Sequence, residues 1–331
     1  MMPIVLKIKS FIQKHHLCAK GNSVIVGVSG GSDSIGLLTI LNELKHELGI
    51  SLIVTHYNHQ LRTDSKLDQA LVQQYAKKLN LPFVTENSKK NLKSLKGSLE
   101  DLARQERLKF FKKVSLRFNA DVIALAHTQD DLAETVLMRL IRGSGLYGLR
   151  AILPKRTIQG MPVIRPLLEI SKNEILTYLK TKKIPFREDS TNRQKIYFRN
   201  LVRLELLPLL KKKYNPNIVG TLTNLAHHTT TDYEYLEAQA TTAYHRIKAQ
   251  TSSSGIVIDL KKLIRLHPAL QQMIWRLAAN ELTKNNCSLE TRHMEEINKL
   301  ISSQSHHSLV DLPQELQLKK IGLKLILRMN H

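Results

Sequence analysis

The sequence predicts an α/β protein: a doubly wound parallel sheet, then a mostly helical segment and a small α/β domain. Short β-branched runs alternate with stretches of helical spacing over roughly the first 140 residues. A loop of serines and glycines joins the first strand of this alternation to its first helix. After residue 150 the pattern changes to a basic stretch punctuated by prolines, as at the end of a domain. The length of 331 residues fits about two domains.

The elements of the alternating part follow in order. Residues 24–28 are a short apolar run typical of a buried strand, and leucines recur at helical spacing through 35–48. The same alternation predicts strands at 51–55, 82–85 and 122–126 and helices at 65–79, 97–118 and 128–141. Such βαβ units make a parallel sheet whose ligands bind beyond the carboxyl ends of the strands.

The second part of the chain has a different composition. Residues 151–213 hold 15 basic and 5 acidic side chains, and Asn215-Pro216 is a natural boundary. We therefore predict two domains, 1–214 with a basic extension at 151–214, and 215–331. In the latter we expect one long or two shorter helices at 218–248, a loop at 251–255, a strand at 256–259, helices at 268–281 and 289–301, and two short strands around Leu316 and Leu325.

Composition restricts the function classes. The formal net charge of +22 indicates a polyanionic partner. Cys18 and Cys287 are far apart, which excludes a disulfide framework and a cysteine-rich metal site and fits the reducing cytoplasm. No apolar run approaches the roughly 18 residues that span a bilayer, so we expect no membrane contact.

The strongest motif is the loop at 29–34, with the sequence Ser-Gly-Gly-Ser-Asp-Ser. Between a buried strand and a helix, its N–H groups and hydroxyls make a cradle for phosphate, and Asp33 can hold Mg²⁺. An ordinary turn capped by Ser32 remains the alternative from spacing alone. Neither the dinucleotide-binding nor the Walker fingerprint is present.

Two polar clusters follow other strands. Residues 126–135 include His127, Asp130 and Asp131 at the start of a helix, where a binding crevice is expected. Adjacent carboxylates are also common in a solvated first helical turn, but the neighbouring histidine favours metal or substrate binding. The cluster at 56–62 ends the second strand, and a plain loop is an equal alternative there.

Residues 29–34 resemble the pyrophosphate-binding loop of the N-type ATP pyrophosphatases, which have a Rossmann-like fold. Within that superfamily, three further stretches are similar to the tRNA(Ile)-lysidine synthetase family: 56–62, 126–135 continuing through 138–139 and 142–146, and 187–192 followed by Arg199-Asn200 and Arg203. The likeness is strong over about 24–215. Members of the family often carry a second carboxy-terminal domain, and this sequence departs from that pattern by ending at His331, so we expect the short form.

The resemblance implies an ATP-dependent ligase. It would convert the wobble cytidine of the CAU anticodon of tRNA(Ile) to lysidine with free L-lysine, through an adenylated cytidine, releasing AMP and pyrophosphate. Decoding would change from AUG to AUA, and identity from methionine to isoleucine. Residues 1–214 would be the catalytic domain and 215–331 a tRNA-binding domain, and a homodimer is left open.

The family pattern also implies roles for individual residues. Asp33, His127, Asp131 and Arg104 would be catalytic, with Asp33 and Asp131 as Mg²⁺ ligands and either His127 or Asp131 as the base for lysine. ATP would bind to Ser29, Gly30, Gly31, Ser32, Asp33 and Ser34. Substrate and RNA would bind to His56, Asn58, Arg62, Arg187, Arg199 and Arg203, with further phosphate contacts from 89–96 and 151–213.

Two other functions would also fit a basic protein with a nucleotide-binding fold. Thiolation of a tRNA cytidine belongs to the same superfamily, but it usually needs paired cysteines, and the spacing of Cys18 and Cys287 is wrong. A non-catalytic RNA-binding protein that keeps the nucleotide fold would not need Asp33, His127 and Asp131 together.

Overall fold

The computed structural model describes residues 2–60, 65–88, 99–187, 198–252, 255–284, 289–305 and 307–330. The chain divides into two compact units, Met1–His227 and His228–His331. Within the described ranges, no helix is both long and apolar enough to cross a membrane.

The first unit contains an alternation of strands and helices. Its elements are α1 (Pro3–Lys14), β1 (Ser23–Gly27), α2 (Ser32–Leu48), β2 (Ser51–Asn58), α3 (Ser65–Lys78), β3 (Phe83–Asn87), α4 (Leu99–Phe118), β4 (Val122–Ala124), α5 (Gln129–Ile141), α6 (Leu146–Leu149), β5 (Lys155–Ile158), β6 (Met161–Ile164), α7 (Lys172–Thr181), α8 (Phe198–Leu201), a π-helical turn (Val202–Leu206) and α9 (Leu207–Lys213). Helix α10 (Ile218–Ile247) follows.

These strands form one sheet in the order β3-β2-β1-β4-β6-β5. All neighbours are parallel except β5, which pairs with β6 as an antiparallel edge. The predicted doubly wound parallel sheet is confirmed. The order reverses around β1 and β4, and the carboxyl ends of these two strands therefore flank the expected binding crevice.

Both faces of the sheet are covered, as the alternation of side chains on β1 shows. Val24 and Val26 belong to the apolar core that contains α1, α2, α5 and α7. Ile25 points to the opposite face and packs in a second core with Phe111 of α4. On that face, a Cβ added to Gly27 would lie only 2.9 Å from the Phe111 ring, so the helix packs closely on the strand.

The alternation pattern left some elements unpredicted. Helix α1 precedes the first predicted strand and buries Ile4, Val5, Ile8, Phe11 and Ile12. The basic stretch after residue 150 contains the β5–β6 hairpin and α7. Since β5 is exposed at the sheet edge, its polar sequence lacks the apolar signature of a buried strand.

The second unit is built on an antiparallel sheet. Its elements are β7 (Lys248–Ser252), β8 (Gly255–Asp259), α11 (Leu260–Leu263), α12 (Pro268–Leu282), α13 (Thr291–Ser302), β9 (His307–Leu312), β10 (Leu316–Ile321) and β11 (Lys324–Met329). The strand order is β7-β8-β11-β10-β9. The small α/β domain is confirmed. The predicted loop at 251–255 is too long, because 251–252 belong to β7 and Gly255 to β8; residues 253–254 lie outside the described residues.

The region around the predicted boundary forms a single helix. Residues 218–247 are one helix, α10, rather than two. The division between the compact units falls at residues 227 and 228, within α10, whereas Asn215-Pro216 lies just before it. The separate functions assigned to 1–214 and 215–331 stay predictions.

Candidate active site

The loop between β1 and α2 leaves the amino-terminal end of α2 open. Gly31 is the N-cap residue, and no side chain among the described residues caps the helix. Gly30 has φ of +97°, a left-handed conformation that glycine adopts without strain. The N–H groups of the first helical turn, which have no partner within the helix, and the positive end of the helix dipole meet at this point, and together they favour a bound anion.

Serine side chains fix the shape of this loop. Ser34 Oγ accepts a hydrogen bond from the Ser29 N–H at 3.1 Å and donates one to the Gly31 carbonyl at 3.0 Å. The Ser32 hydroxyl instead donates to Asp33 Oδ1 at 3.1 Å. The structure thus brings together the whole predicted phosphate loop: Ser29, Gly30, Gly31, Ser32, Asp33 and Ser34. The alternative of a turn capped by Ser32 is wrong, because Gly31 occupies the cap position.

Arg187 braces the loop from a distant part of the chain. Its N–H donates to the Gly30 carbonyl at 3.0 Å, and Gly31 and Arg187 form an isolated parallel bridge. Its Nε donates to Asp68 Oδ1 on α3 at 2.6 Å. Asp68 is buried. The RNA contact expected of Arg187 stays a prediction, and the structure adds this loop-supporting role.

Asp33 lies in the first turn of α2, beside the loop. Lys172 Nζ at the start of α7 is 3.8 Å from Asp33 Oδ2, and the Lys172 N–H is fixed by Asp130 Oδ2 at 2.8 Å. Burial raises the pKa of Asp33, an effect that Lys172 opposes and the negative charge of Asp131 reinforces. The negative charges of Asp33 and Asp131 therefore act on each other across the site.

Asp131 is held by both of its carboxylate oxygens. Oδ2 accepts from the Thr128 N–H at 2.9 Å and the Thr128 hydroxyl at 3.1 Å, which completes a capping box at the start of α5. Oδ1 faces Arg203 Nη2 at 3.3 Å and Arg199 Nη2 at 3.5 Å. Burial alone would raise the pKa of Asp131, but His127, the two arginines and the hydrogen bonds hold it below its usual range.

Glu134 is the most buried carboxylate of the site, at 1% exposure. It accepts from Arg199 Nε at 3.0 Å and from Arg203 Nε at 2.5 Å and Nη2 at 2.9 Å. Glu134 and Asp131 are three residues apart and so share a face of α5, where the two arginines bridge them. Arg199 and Arg203, predicted to contact RNA, instead pair with two carboxylates of the candidate site, Asp131 and Glu134.

His127 is neutral in this arrangement. Its Nδ1 is buried and has no hydrogen-bond partner within the described part of the chain. Burial lowers its pKa to about 3; the negative charge of Asp131 opposes this shift, and the positive charges of Arg165, Arg107 and Arg199 add to it. A buried imidazole nitrogen without a partner is unusual, and this one lies at the carboxyl end of β4, where a ligand is expected to bind.

The polar residues at the end of β2 mainly support neighbouring backbone. His56 is buried, and its Nδ1 lies 2.9 Å from the Val28 carbonyl, next to the phosphate loop. Burial lowers the pKa of His56. Asn58 is also buried, and its Oδ1 accepts from the Gln60 N–H at 2.9 Å. The substrate contacts of His56 and Asn58 stay predictions, and Arg62 lies outside the described residues.

Arg165 lies near His127, and Arg104 lies near Arg165. Arg104 on α4 is exposed, consistent with an approach to bound phosphates. Arg165 follows β6 and is only 4% exposed; Nη1 donates to the Leu153 carbonyl at 2.7 Å, and Nε has no partner among the described residues. Burial, with Arg104 and Arg156 nearby, lowers the pKa of Arg165 to about 10. This side of the crevice is positively charged.

The sequence pattern assigned no individual role to Glu134, Lys172 or Arg165, although the last two lie in the basic stretch 151–213 that was expected to contact RNA. Glu134 carried a usable signal, since it lies among apolar residues on the buried face of α5. A charge at such a position needs a partner. Lys172 and Arg165 reach the site only through the packing of α7 and β6, which no local pattern predicts.

The donor set was compared with what Mg²⁺ requires. Among the described residues, no group of three histidine, cysteine or acidic side chains is gathered at one point. Mg²⁺ in nucleotide sites needs only one or two carboxylates, with phosphates and waters as the other ligands. Asp33 fits this pattern, because its carboxylate lies beside the open end of α2. Asp131 fits less well, since both of its oxygens already accept hydrogen bonds.

Comparison with known proteins identifies first the class and then the family. Residues 2–210 match the family model described as the PP-loop domain, so fold and loop define a PP-loop protein. The tRNA(Ile)-lysidine synthase of Clostridioides difficile is 31% identical over 313 residues, which cover 94% of this chain and 67% of that protein. That of Clostridium tetani is 35% identical over 320 residues, covering 96% and 67%. The chain belongs to the tRNA(Ile)-lysidine synthase family.

A solved structure supports the same fold. The U34-tRNA thiolase NcsA from Methanococcus maripaludis, solved with its 4Fe-4S cluster, superposes with a TM-score of 0.58 at 20% identity. The match covers 68% of this chain and 77% of that one. At this identity the likeness concerns fold alone. In this chain, burial raises the pKa of the Cys18 thiol, which makes it a poor nucleophile.

Proposed function

We propose that this protein uses ATP and free L-lysine to convert the wobble cytidine of the CAU anticodon of tRNA(Ile) to lysidine. The observation that carries the proposal is the open amino-terminal end of α2, which lies beside Asp33 and near the cluster of Asp131, Glu134 and two arginines. The open end of α2 would bind phosphate. The cluster of two carboxylates and two arginines carries charges of both signs, which suit a zwitterionic amino acid.

The first step activates the cytidine. The cytosine O2 attacks the α-phosphate of ATP, an O–P bond forms, and pyrophosphate leaves. N–H groups of 29–34 hold the departing pyrophosphate, as supported by the uncapped helix end. A Mg²⁺ held by Asp33 would neutralise charge on that leaving group. Lys172, Arg104 and Arg165 add positive charge, which suits a step that depends on positioning and electrostatics.

The second step transfers lysine. An amine of lysine attacks C2 of the adenylated cytidine, and AMP leaves with the original cytosine oxygen. The amine must first lose a proton, because its reference pKa is near 10.4. His127 and Asp131 are the two candidate acceptors of that proton: Nδ1 of His127 is unpaired among the described residues, and both oxygens of Asp131 accept hydrogen bonds or face arginines. Glu134 is 1% exposed and holds Arg199 and Arg203 in place rather than binding lysine itself.

The RNA partner is supported by charge. The net charge of +22 favours a polyanion, and the excess is concentrated in 151–213. We propose that the protein works in the cytoplasm. Its assembly as a homodimer stays a prediction.

One reaction tests the proposal. The protein is incubated with α-labelled ATP, lysine and a transcript bearing a CAU anticodon, and each component is omitted in turn. We expect labelled AMP to form only when RNA and lysine are both present. A transcript with the anticodon changed to GAU is the matched control and should give none. AMP formation that is indifferent to RNA would refute the proposed function.

A further inference from the structure

A patch of exposed apolar and aromatic side chains lies beyond the carboxyl end of α5. Ile141 is 55% exposed, Leu146 47%, Tyr147 40% and Phe198 36%. They come from α5, α6 and α8, and both α6 and α8 pack against α5. Large exposed apolar side chains that cluster in this way commonly mark a binding surface.

Arginines are stacked on the aromatic rings of this patch. The guanidinium carbon of Arg142 lies 5.4 Å from the ring centre of Phe198, and that of Arg150 lies 4.6 Å from Tyr147. Both distances are within the cation–π range. We call Ile141, Arg142, Leu146, Tyr147, Arg150 and Phe198 the arginine–aromatic surface.

The charge around this surface selects its partner. Residues 135–168 contain six basic side chains and no acidic one: Arg139, Arg142, Arg150, Lys155, Arg156 and Arg165. A second copy of this chain, with its net charge of +22, would be repelled. Phosphates attract arginine, and unpaired bases stack on aromatic rings and guanidinium planes, so single-stranded RNA fits both features.

The surface is continuous with the catalytic centre. Helix α5 carries Asp131 and Glu134 near its start and Ile141 at its end. At a rise of about 1.5 Å per residue, Glu134 and Ile141 are roughly 10 Å apart along the helix. Helix α8 makes a second link, because Phe198 immediately precedes Arg199, which binds Glu134.

We propose that the arginine–aromatic surface stacks the anticodon-loop bases next to the cytidine that enters the active site. This inference rests on the proposed function. It assigns part of the RNA contact to aromatic and apolar side chains, in addition to the basic ones. Base stacking on Phe198 and Tyr147 would keep the loop splayed, and Arg142 would hold its phosphates.

The test compares variants in binding to an anticodon stem-loop RNA that carries a fluorescent base analogue beside the wobble position. Phe198→Ala should weaken binding by about 5- to 150-fold, the range for loss of one base stack. Phe198→Tyr, which keeps a stacking ring, should restore it. Log K falls as log salt rises, and Arg142→Ala should make this slope shallower by about 0.7, the value for one single-strand phosphate contact.

A matched control is available on α4. Arg117 stacks on Phe118 at the same 5.4 Å but lies on another part of the first unit. Arg117→Ala should leave RNA affinity and analogue fluorescence as in the wild type. Thermal unfolding of every variant checks that Arg199 and the fold are undisturbed.

The outcomes separate the two proposals. If the wild type binds RNA but the Phe198 and Arg142 variants match the Arg117 control, the surface assignment is overturned and the proposed function stands. If these variants change sedimentation but not RNA binding, the surface is an interface between copies, which also overturns it. A wild type that neither binds the RNA nor forms AMP with it refutes the proposed function itself.

Discussion

Removing the charge of Glu134 should destabilise the first unit because it leaves two arginines facing a neutral group. Glu134 accepts three hydrogen bonds from Arg199 and Arg203 at 2.5 to 3.0 Å. Breaking a fully buried ion pair costs about 3–5 kcal/mol. The two arginine side chains are 24% and 30% exposed, and Asp131 still faces them, so we expect about 2–3 kcal/mol for Glu134→Gln.

Thermal unfolding measures this loss. For a unit of this size, each kcal/mol shifts Tm by about 2–4 °C, so Glu134→Gln should lower Tm by about 4–12 °C. The control is Glu86→Gln. Glu86 pairs with Lys113 at 2.6 Å, but the lysine side chain is 72% exposed, and loss of such a surface pair should cost less than about 1 kcal/mol.

A double variant tests the cause. Arg203→Gln in the Glu134→Gln background removes one uncompensated charge, so the combined loss should be smaller than the sum of the two single losses. Additive losses, or a Tm loss for Glu134→Gln of less than about 2 °C, would refute the view that Glu134 anchors the arginines.

Three further outcomes are expected. Asp33→Asn should stop AMP formation while changing the unfolding free energy by no more than about 0.5 kcal/mol, and retained turnover would remove Asp33 from the site. Gly36→Ala should cost about 1–3 kcal/mol in urea unfolding, because its Cβ would lie 2.7 Å from Ile175 Cγ2, and the cost should shrink in an Ile175→Ala background; an unchanged cost would contradict this contact. Burial lowers the pKa of His59 to about 4, below its unfolded value near 6.5, so wild-type stability should fall as pH drops through that window. His59→Gln should lose less stability there, and identical pH profiles of Tm would count against the shift.

The sequence predicted those parts of the fold that have a local signal. The apolar run of β1 and the Ser-Gly loop depend on neighbouring residues only, and both lie where they were expected. The β5–β6 hairpin has no such signal, because an edge strand faces solvent and keeps a polar sequence such as Lys155–Ile158.

The site was predicted as a set of residues but not as a set of contacts. Asp131 and Arg203 were both named from the family pattern, yet their ion pair joins residues 72 apart in sequence. Such pairs depend on where the π-helical turn packs against α5, which is a property of the tertiary fold. The ion pair of Arg187 with Asp68 also joins residues distant in sequence, so the family pattern could predict an RNA contact for Arg187 but not this pair.

The most direct test of the central claim follows atoms from both substrates into the products. A CAU stem-loop with ¹⁸O at the cytosine O2 is treated with ATP and isotopically labelled lysine, and RNA and AMP are analysed by mass spectrometry. The account predicts that the RNA gains one lysine less one water at the wobble cytidine, and that the ¹⁸O appears in AMP. An RNA of unchanged mass, or AMP without the ¹⁸O, would contradict it.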